Sequence, residues 1–287
     1  MIANRKLQIA NFLSVCIHAP SVAKLLQLHM RLVSYNILDG GDGRGDLLRQ
    51  VISRQRPDIV VLVEADNPEL VDRIAADLDM DSVRGEGNKE GTAAAILSRW
   101  PIRESINHAV LRTEISKSFL EATLIGLGDT HWVIGAVHLH ARAAEEDERQ
   151  REVEIGVVLD AMKRHRGARR PHLLAGDINA NSPIQEIDPA RCKPRTREEW
   201  DENGGRIPRR VVQRILDAGY SDSLHAIRGP AAGRMASFTT EFPGQRVDYI
   251  FTHGFPSERL RDAWIEQAEP AGKASDHYPI GIEIAEI

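Results

Sequence analysis

Short β-branched and apolar runs alternate with segments of helical periodicity along most of the chain. Arg31–Tyr35, Ile59–Val63, Ala93–Leu97, Trp132–Val137, His172–Leu174 and Tyr249–Thr252 predict strands. Three segments between them predict helices. Asp46–Ser53 carries Leu47, Leu48 and Val51 on one side, and Asn67–Leu78 opens on an Asn-Pro cap and ends before an acidic turn. In Glu145–Arg164, residues Ile155, Val158, Leu159 and Met162 recur at i, i+3, i+4 and i+7. Its acidic opening, Glu145–Glu148, complements the helix dipole and reads as a solvated face. Strands interleaved with helices predict an α/β layered domain. Asp188–Pro208 breaks the pattern with prolines, paired glycines and several Lys/Arg, and predicts a long surface insertion. No repeat or low-complexity tract interrupts the chain.

The chain has 287 residues, 42 acidic against 37 basic, a net charge of -5 and 42% hydrophobic positions, as expected of a soluble globular protein. No stretch approaches the ~18 apolar residues of a membrane span, and the apolar content is too high for general disorder. Cys16 and Cys192 form no disulfide framework or zinc spacing, so a reducing, cytoplasmic setting is expected. The first 29 residues have a basic start and an apolar middle, as an export signal does. Asn11 and Ser14 break the apolar stretch, no small-residue cleavage pattern follows, and Met30 directly precedes the first strand. The expectation is an N-terminal extension over 1–29 outside the core, with an export signal as the alternative, and one domain over 30–287. A pI near 6.1 argues against a non-specific polyanion coat but leaves room for a local basic cleft.

Several strand-like runs end in a polar residue that a core strand has no reason to carry. Asn36 closes the first, Glu64 closes PDIVVLVE, His138 closes HWVIGAVH, and Asp177 and Asn179 follow HLLAG. Strand carboxyl ends of α/β sheets converge on a crevice, so these distant residues can meet. Asp248 and the adjacent pair Asp276 and His277 extend the set. Carboxylates, carboxamides and imidazoles, with no thiolate and no GxSxG nucleophile, suit Mg²⁺ or Mn²⁺ better than zinc. The implied reaction is metal-assisted hydrolysis of a phosphoester. Taken singly, each residue also has an ordinary structural reading as a surface group, turn former or satisfied partner.

SYNILDGG, PDIVVLVEAD, GTAAAILSRWPI, VHLHA, LLAGDINA, RVDYIFT and ASDHYPI occur in that order between Arg31 and Ile282. In them the chain resembles the endonuclease/exonuclease/phosphatase superfamily, with its exonuclease III and pancreatic-type deoxyribonuclease fold. The resemblance implies a four-layer α/β sandwich, two stacked mixed β-sheets flanked by helices. It implies Glu64 as principal metal ligand with Asn36 beside it and Asp276 supporting the metal. Asp177 would orient or deprotonate the attacking water, and Asn36 and Asn179 would contact the phosphate. His277 would act as base or charge stabiliser, oriented by Asp248, and His138 matches a histidine that assists the leaving group. Leu38 departs from the pattern where a second polar group often stands, which puts a second metal in doubt.

Gly40–Gly45 reads as a flexible turn near the site, with Arg44 as a candidate phosphate contact; it matches neither a calcium loop nor a phosphate loop. Arg99, Arg103, Arg142, Arg191, Lys193, Arg195 and Arg197 favour a nuclease or related phosphodiesterase acting on DNA or a nucleotide. The alternatives are a phosphatase or phosphodiesterase of a small soluble or lipid-derived phosphoester, and a non-catalytic binding protein of the same fold. Aromatics at 5% offer few stacking platforms for single strands. No stable protein partner is implied.

Overall fold

The computed structural model describes residues 29–126 and 131–285. The expected N-terminal extension therefore lies outside the described residues, apart from His29. In chain order the first six strands are β1 (His29–Asn36), β2 (Ile59–Val63), β3 (Asp81–Gly85), β4 (Ala94–Ser98), β5 (Ile102–Asn107) and β6 (Ser118–Ile125). The next six are β7 (His131–His138), β8 (His172–Asp177), β9 (Ser221–Asp222), β10 (Asp248–His253), β11 (Leu260–Ile265) and β12 (Ile280–Ala285). The helices are α1 (Gly45–Arg54), α2 (Pro68–Leu78), α3 (Glu145–Gly167), α4 (Pro194–Glu202), α5 (Arg210–Asp217), α6 (Ser223–Arg228) and α7 (Ala271–Ala274).

Two six-stranded mixed sheets result, ordered β11-β12-β1-β2-β4-β3 and β5-β6-β7-β8-β10-β9. The period-2 split of their central strands explains the layers. Ile59, Val61 and Val63 of β2 meet Trp132, Ile134 and Ala136 of β7 in the core between the sheets. Val60 and Leu62 turn outward under Leu48 and Ile52 of α1 and Leu70 and Ile74 of α2. On the other side, Val133 and Val137 lie under Ile155, Val158 and Met162 of α3 and Val211 and Ile215 of α5. Central strands buried on both faces read as continuous apolar runs, as IVVLV does. Each such side chain taken fully from water stabilises the fold by roughly 1.5–3 kcal/mol.

All six predicted strands and three predicted helices form, with ends shifted by a few residues. The cap before α2 is as expected, Asn67 Oδ1 accepting from Leu70 N at 3.1 Å. Two expectations need correction. Glu145–Glu148 is not simply a solvated face: Glu148 is fully buried, accepting from Val211 N at 3.0 Å and pairing with buried Arg151 at 3.0 Å. Nor is Asp188–Pro208 an irregular surface loop. It folds into α4, started by Pro194 at a position where the missing N–H costs nothing, and it buries Cys192 and Trp200 against Ala143.

The pairing register delivers chemistry to one end of the sandwich. β1 and β2 run parallel with Asn36 opposite Val63, and β7 and β8 run parallel with His138 opposite Asp177. β10 is antiparallel to β8, so its first residue, Asp248, stands opposite Asp177. Gly176 is required next to this point: its φ is 140° and a Cβ there would lie 2.0 Å from Val137 O.

Candidate active site

Asp177 is the centre of the cluster. It is buried at the end of β8, and its Oδ2 accepts from Asn36 Nδ2 at 3.2 Å and from Asn179 Nδ2 at 3.1 Å. Its Oδ1 accepts from Asn179 N at 2.9 Å, the same turn that places Asn179 at φ 53°. His138 Nε2 and His277 Nε2 lie 3.4 and 3.8 Å from Oδ2. Burial alone would raise the Asp177 carboxyl, but His277, His138 and Lys117 outweigh it and hold the group below its ordinary range.

Asn36 ties the two sheets together, since the same Nδ2 also donates to Glu64 Oε1 at 3.0 Å. Glu64 follows β2 in a left-handed conformation, φ 55°, which a non-glycine residue adopts at a cost. Its backbone and side chain compensate: Glu64 O accepts from Gly40 N at 2.9 Å and Oε2 from Asp39 N at 3.0 Å.

His277 precedes β12 and is buried between two acids. Its Nδ1 donates to Asp248 Oδ2 at 2.9 Å, and the same oxygen accepts from Ser237 Oγ at 2.6 Å. Burial disfavours the imidazolium, yet the charges of Asp248 and Asp177 win and raise the His277 pKa well above its ordinary value. Ser275 Oγ donates to Asn36 O at 2.7 Å, and His277 N donates to Ser275 Oγ, so the β12 loop is fastened to β1.

His138 stands at the end of β7. It is fully buried, and Lys117 Nζ lies 2.6 Å from its Nε2. The same Nε2 lies 3.4 Å from Asp177 Oδ2, and Nδ1 has no partner. Burial, then the Lys117 charge, lowers the His138 pKa. Lys117 is itself largely buried, and burial lowers its pKa against the pull of Asp177 and Glu64. Lys117 escaped the sequence reading because it precedes a strand. Ser118 pairs with His138 in the antiparallel β6–β7 ladder, so the start of β6 and the end of β7 share an edge. The one available cue was a lysine abutting the apolar run SFLEATL. Ser237 and Ser275 had no such cue.

Other expectations change as well. Arg44 is not available to a phosphate: its guanidinium donates to Ile37 O at 3.0 Å, Ala274 O at 2.7 Å, Asp42 O at 3.2 Å and also to Leu38 O. Gly40–Gly45 is correspondingly pinned rather than flexible, with Gly40 and Gly41 buried. Asn36 Nδ2 serves Glu64 and Asp177, while its Oδ1 accepts from Leu38 N at 3.0 Å and retains a second lone pair. Asn179 likewise has both amide hydrogens engaged, one by Asp177 and one by Leu139 O at 3.0 Å, so it holds Asp177 in place.

Cation-binding capacity is carried by carboxylates. Asp276 Oδ1 is buried without a partner and lies 4.0 Å from His277 Nε2. Burial raises the Asp276 pKa, and the negative charges of Glu64 and Asp177 add to the rise. Three mutually repelling carboxylates with an orphaned oxygen fit a hard divalent cation. Asp177, Asp248 and His277 also bring one ligand atom each within 4.8 Å of one another. Two of those contacts already join the imidazolium to its carboxylates.

The fold is shared with known proteins. The family model described as "Endonuclease/Exonuclease/phosphatase family" matches residues 33–277. Among solved structures, an AP endonuclease from Archaeoglobus fulgidus superposes with a TM-score of 0.68 at 17% identity, covering 90% of this chain and 100% of that one. The 3' phosphatase NExo from Neisseria, solved bound to product DNA hairpin, gives 0.67 at 20% identity over 89% and 99%. The endonuclease/exonuclease/phosphatase from Beutenbergia cavernae gives 0.63 at 19% identity over 90% and 72%. No curated protein matches the chain. A match running from β1 to His277, through every strand end that carries the acids and imidazoles, means that the chain belongs to the endonuclease/exonuclease/phosphatase family.

Proposed function

We propose that the protein is a metal-dependent phosphoester hydrolase acting by water attack on phosphorus, most naturally as a nuclease or related phosphodiesterase. The observation that carries this reading is the convergence on Asp177 of Asn36, Asn179, His138 and His277 from both sheets. Phosphoester hydrolysis is the chemistry of the family, and a Neisseria member of the same fold was solved with product DNA hairpin. Among the described residues no helix is long and apolar enough to cross a membrane.

Glu64 and Asp276 would hold Mg²⁺ or Mn²⁺, which when bound supplies Lewis-acid neutralisation of phosphate charge. Asp177, kept ionised by its cationic neighbours, orients the attacking water as an acceptor. Its lowered basicity suits positioning better than proton abstraction. His277, kept protonated by Asp248, presents Nε2–H toward charge that builds on the phosphate oxygens. Lys117 would give a proton to the leaving oxygen, with His138 as its buried anchor.

A second reading, a small soluble or lipid-derived phosphoester as substrate, is favoured by the walled cavity that α4 builds beside Asn179. A hydrolysis panel with Mg²⁺ and Mn²⁺ tests both: plasmid, single-stranded and abasic DNA, RNA, bis-p-nitrophenyl phosphate, inositol phosphates and sphingomyelin. Turnover abolished by EDTA and restored by either metal is expected. Turnover that persists in metal-free buffer, or no turnover of any phosphoester, refutes the proposal.

A further inference from the structure

A cavity of about 210 Å³ opens beside Asn179, and its walls come from the segment around α4 and from the loop before β10. Arg142, Lys193 and Arg195 line it, with Trp200, Phe238 and Gln245. Glu199 is the only acid in the lining, and it is already shared: Arg142 Nε reaches it at 2.6 Å, Arg195 Nε at 3.1 Å and Ala143 N at 2.7 Å. Lys193 has no ion pair among the described residues, and its Nζ stands 5.9 Å from the Phe238 ring centroid. Positive charge is therefore in excess over carboxylate, in a concave site whose low-dielectric walls focus the field.

Two buried polar atoms of the lining are unpartnered. Gln245 Oε1 is an acceptor without a donor, and Trp200 Nε1 is a donor without an acceptor. Both residues are nearly inaccessible, at 6% and 2% exposure, so water does not freely satisfy them. The cavity also touches the catalytic cluster. Asn179 is common to both, and the Phe238 ring packs on the His277 ring with centroids 4.6 Å apart. A group held here belongs to the molecule whose phosphoester lies at His277.

We propose that this cavity is a specificity site for a second anionic group, a phosphate or carboxylate, carried by the substrate about one sugar unit from the scissile phosphoester. The inference rests on the phosphoester reading above and names the substrate class within it. Lys193 and the guanidinium edge of Arg142 take the anion through charge-assisted bonds, with Arg195, whose Nη1 also reaches Glu198 at 3.4 Å, adding to the positive field. Arg191 lies outside this cavity, in a separate groove with Arg234.

Thymidine 5'-(p-nitrophenyl phosphate) with a 3'-hydroxyl, 3'-phosphate or 3'-carboxymethyl group tests this, together with the isomeric 3'-ester with and without a 5'-phosphate. The expected result is about a tenfold or greater preference in kcat/KM for a doubly anionic ester, as for a hydrogen bond to a charged group. Lys193→Ala and Arg142→Ala should each reduce that ratio, and Arg191→Ala should leave the ratio in place. Equal use of the phosphate and carboxymethyl esters means that one negative charge suffices; use of the phosphate alone means that its additional charge or third oxygen is needed. A ratio near one for both isomers, or a ratio unmoved in the Lys193→Ala/Arg142→Ala double variant, overturns the proposal. Calorimetric binding of thymidine 3',5'-bisphosphate against thymidine 5'-monophosphate reads the cavity without turnover. A preference that Lys193→Ala abolishes supports the cavity even where no ester is cleaved. Cleavage without preference in either assay overturns the cavity and leaves the reaction class standing.

Discussion

Replacing Asp248 with Asn tests whether His277 and its carboxylate act as one device. The hydrogen bond from His277 Nδ1 to Asp248 Oδ2 is 2.9 Å long and buried, with Ser237 holding the same oxygen. At that distance two unit charges attract by about 6 kcal/mol at an effective dielectric of about 20, far more than the ~1.4 kcal/mol that separates a tenfold change in rate. Asn keeps the shape and an oxygen for Ser237 but removes the charge that keeps His277 protonated and aimed. The variant should therefore lose about 10² to 10⁴ in kcat, the range of a positioned acid or base, and His277→Ala should lose a similar factor. If Asp248 acts only through the imidazole, the double variant falls little below the worse single one, because groups acting as a unit are non-additive. Initial rates on bis-p-nitrophenyl phosphate with saturating Mg²⁺, alongside thermal melts of each variant, measure this. Losses that multiply in the double variant, with all three proteins folded, would refute the coupling.

Glu64→Gln should raise the Mg²⁺ concentration needed for half-maximal rate, since one ligand charge is lost while the shape is kept; an unchanged metal titration removes Glu64 from the ligand set. Lys117→Met should slow esters with poor leaving groups more than p-nitrophenyl esters, which need no proton at the leaving oxygen, and an equal loss on both counts against Lys117 as the donor. Acid should destabilise the fold through a second buried cluster, built around the end of β8 opposite Asp177. Burial lowers the His172 pKa to about 4, with Nδ1 on Arg170 O at 2.7 Å and Nε2 on Tyr220 Oη at 2.8 Å. The unfolded chain binds this proton first, so up to about 3 kcal/mol is lost as pH falls from about 6.5 to about 4. Glu121 carries the loss further down: burial is outweighed by bonds from His108 and His165 and by the Arg164 charge, so its carboxyl is held below the ordinary range and its contribution disappears below about pH 4.5. Urea midpoints across that range should decline in the native protein and decline less from pH 6.5 to 4 in His172→Gln; equal slopes there would dismiss His172 as a source.

The chain by itself determined the α/β class, six strands, three helices and the acids and imidazoles at the strand ends. Those signals are local: a strand buried on both faces must be continuously apolar, as Ile59–Val63 is, and a polar residue closing such a run stands out from its neighbours. The weaker strands were illegible for the same reason. Asp81–Gly85 and Ile102–Asn107 carry mostly partly exposed or exposed polar residues, and Ser221–Asp222 is two residues long. Tertiary structure alone decided the partners. Lys117 joins the site only because β6 runs antiparallel to β7, which brings the beginning of one strand to the end of the other. Arg44 reads in sequence like any exposed arginine in a glycine-rich turn, and only the convergence of Ile37, Leu38 and Ala274 carbonyls takes its donors. The basic segment around α4 becomes a cavity wall because Trp200 and Cys192 find an apolar seat against Ala143, a contact between positions far apart in the chain. Side-chain type is a property of a position, whereas the state of its hydrogen bonds and charge depends on which distant groups the fold sets beside it.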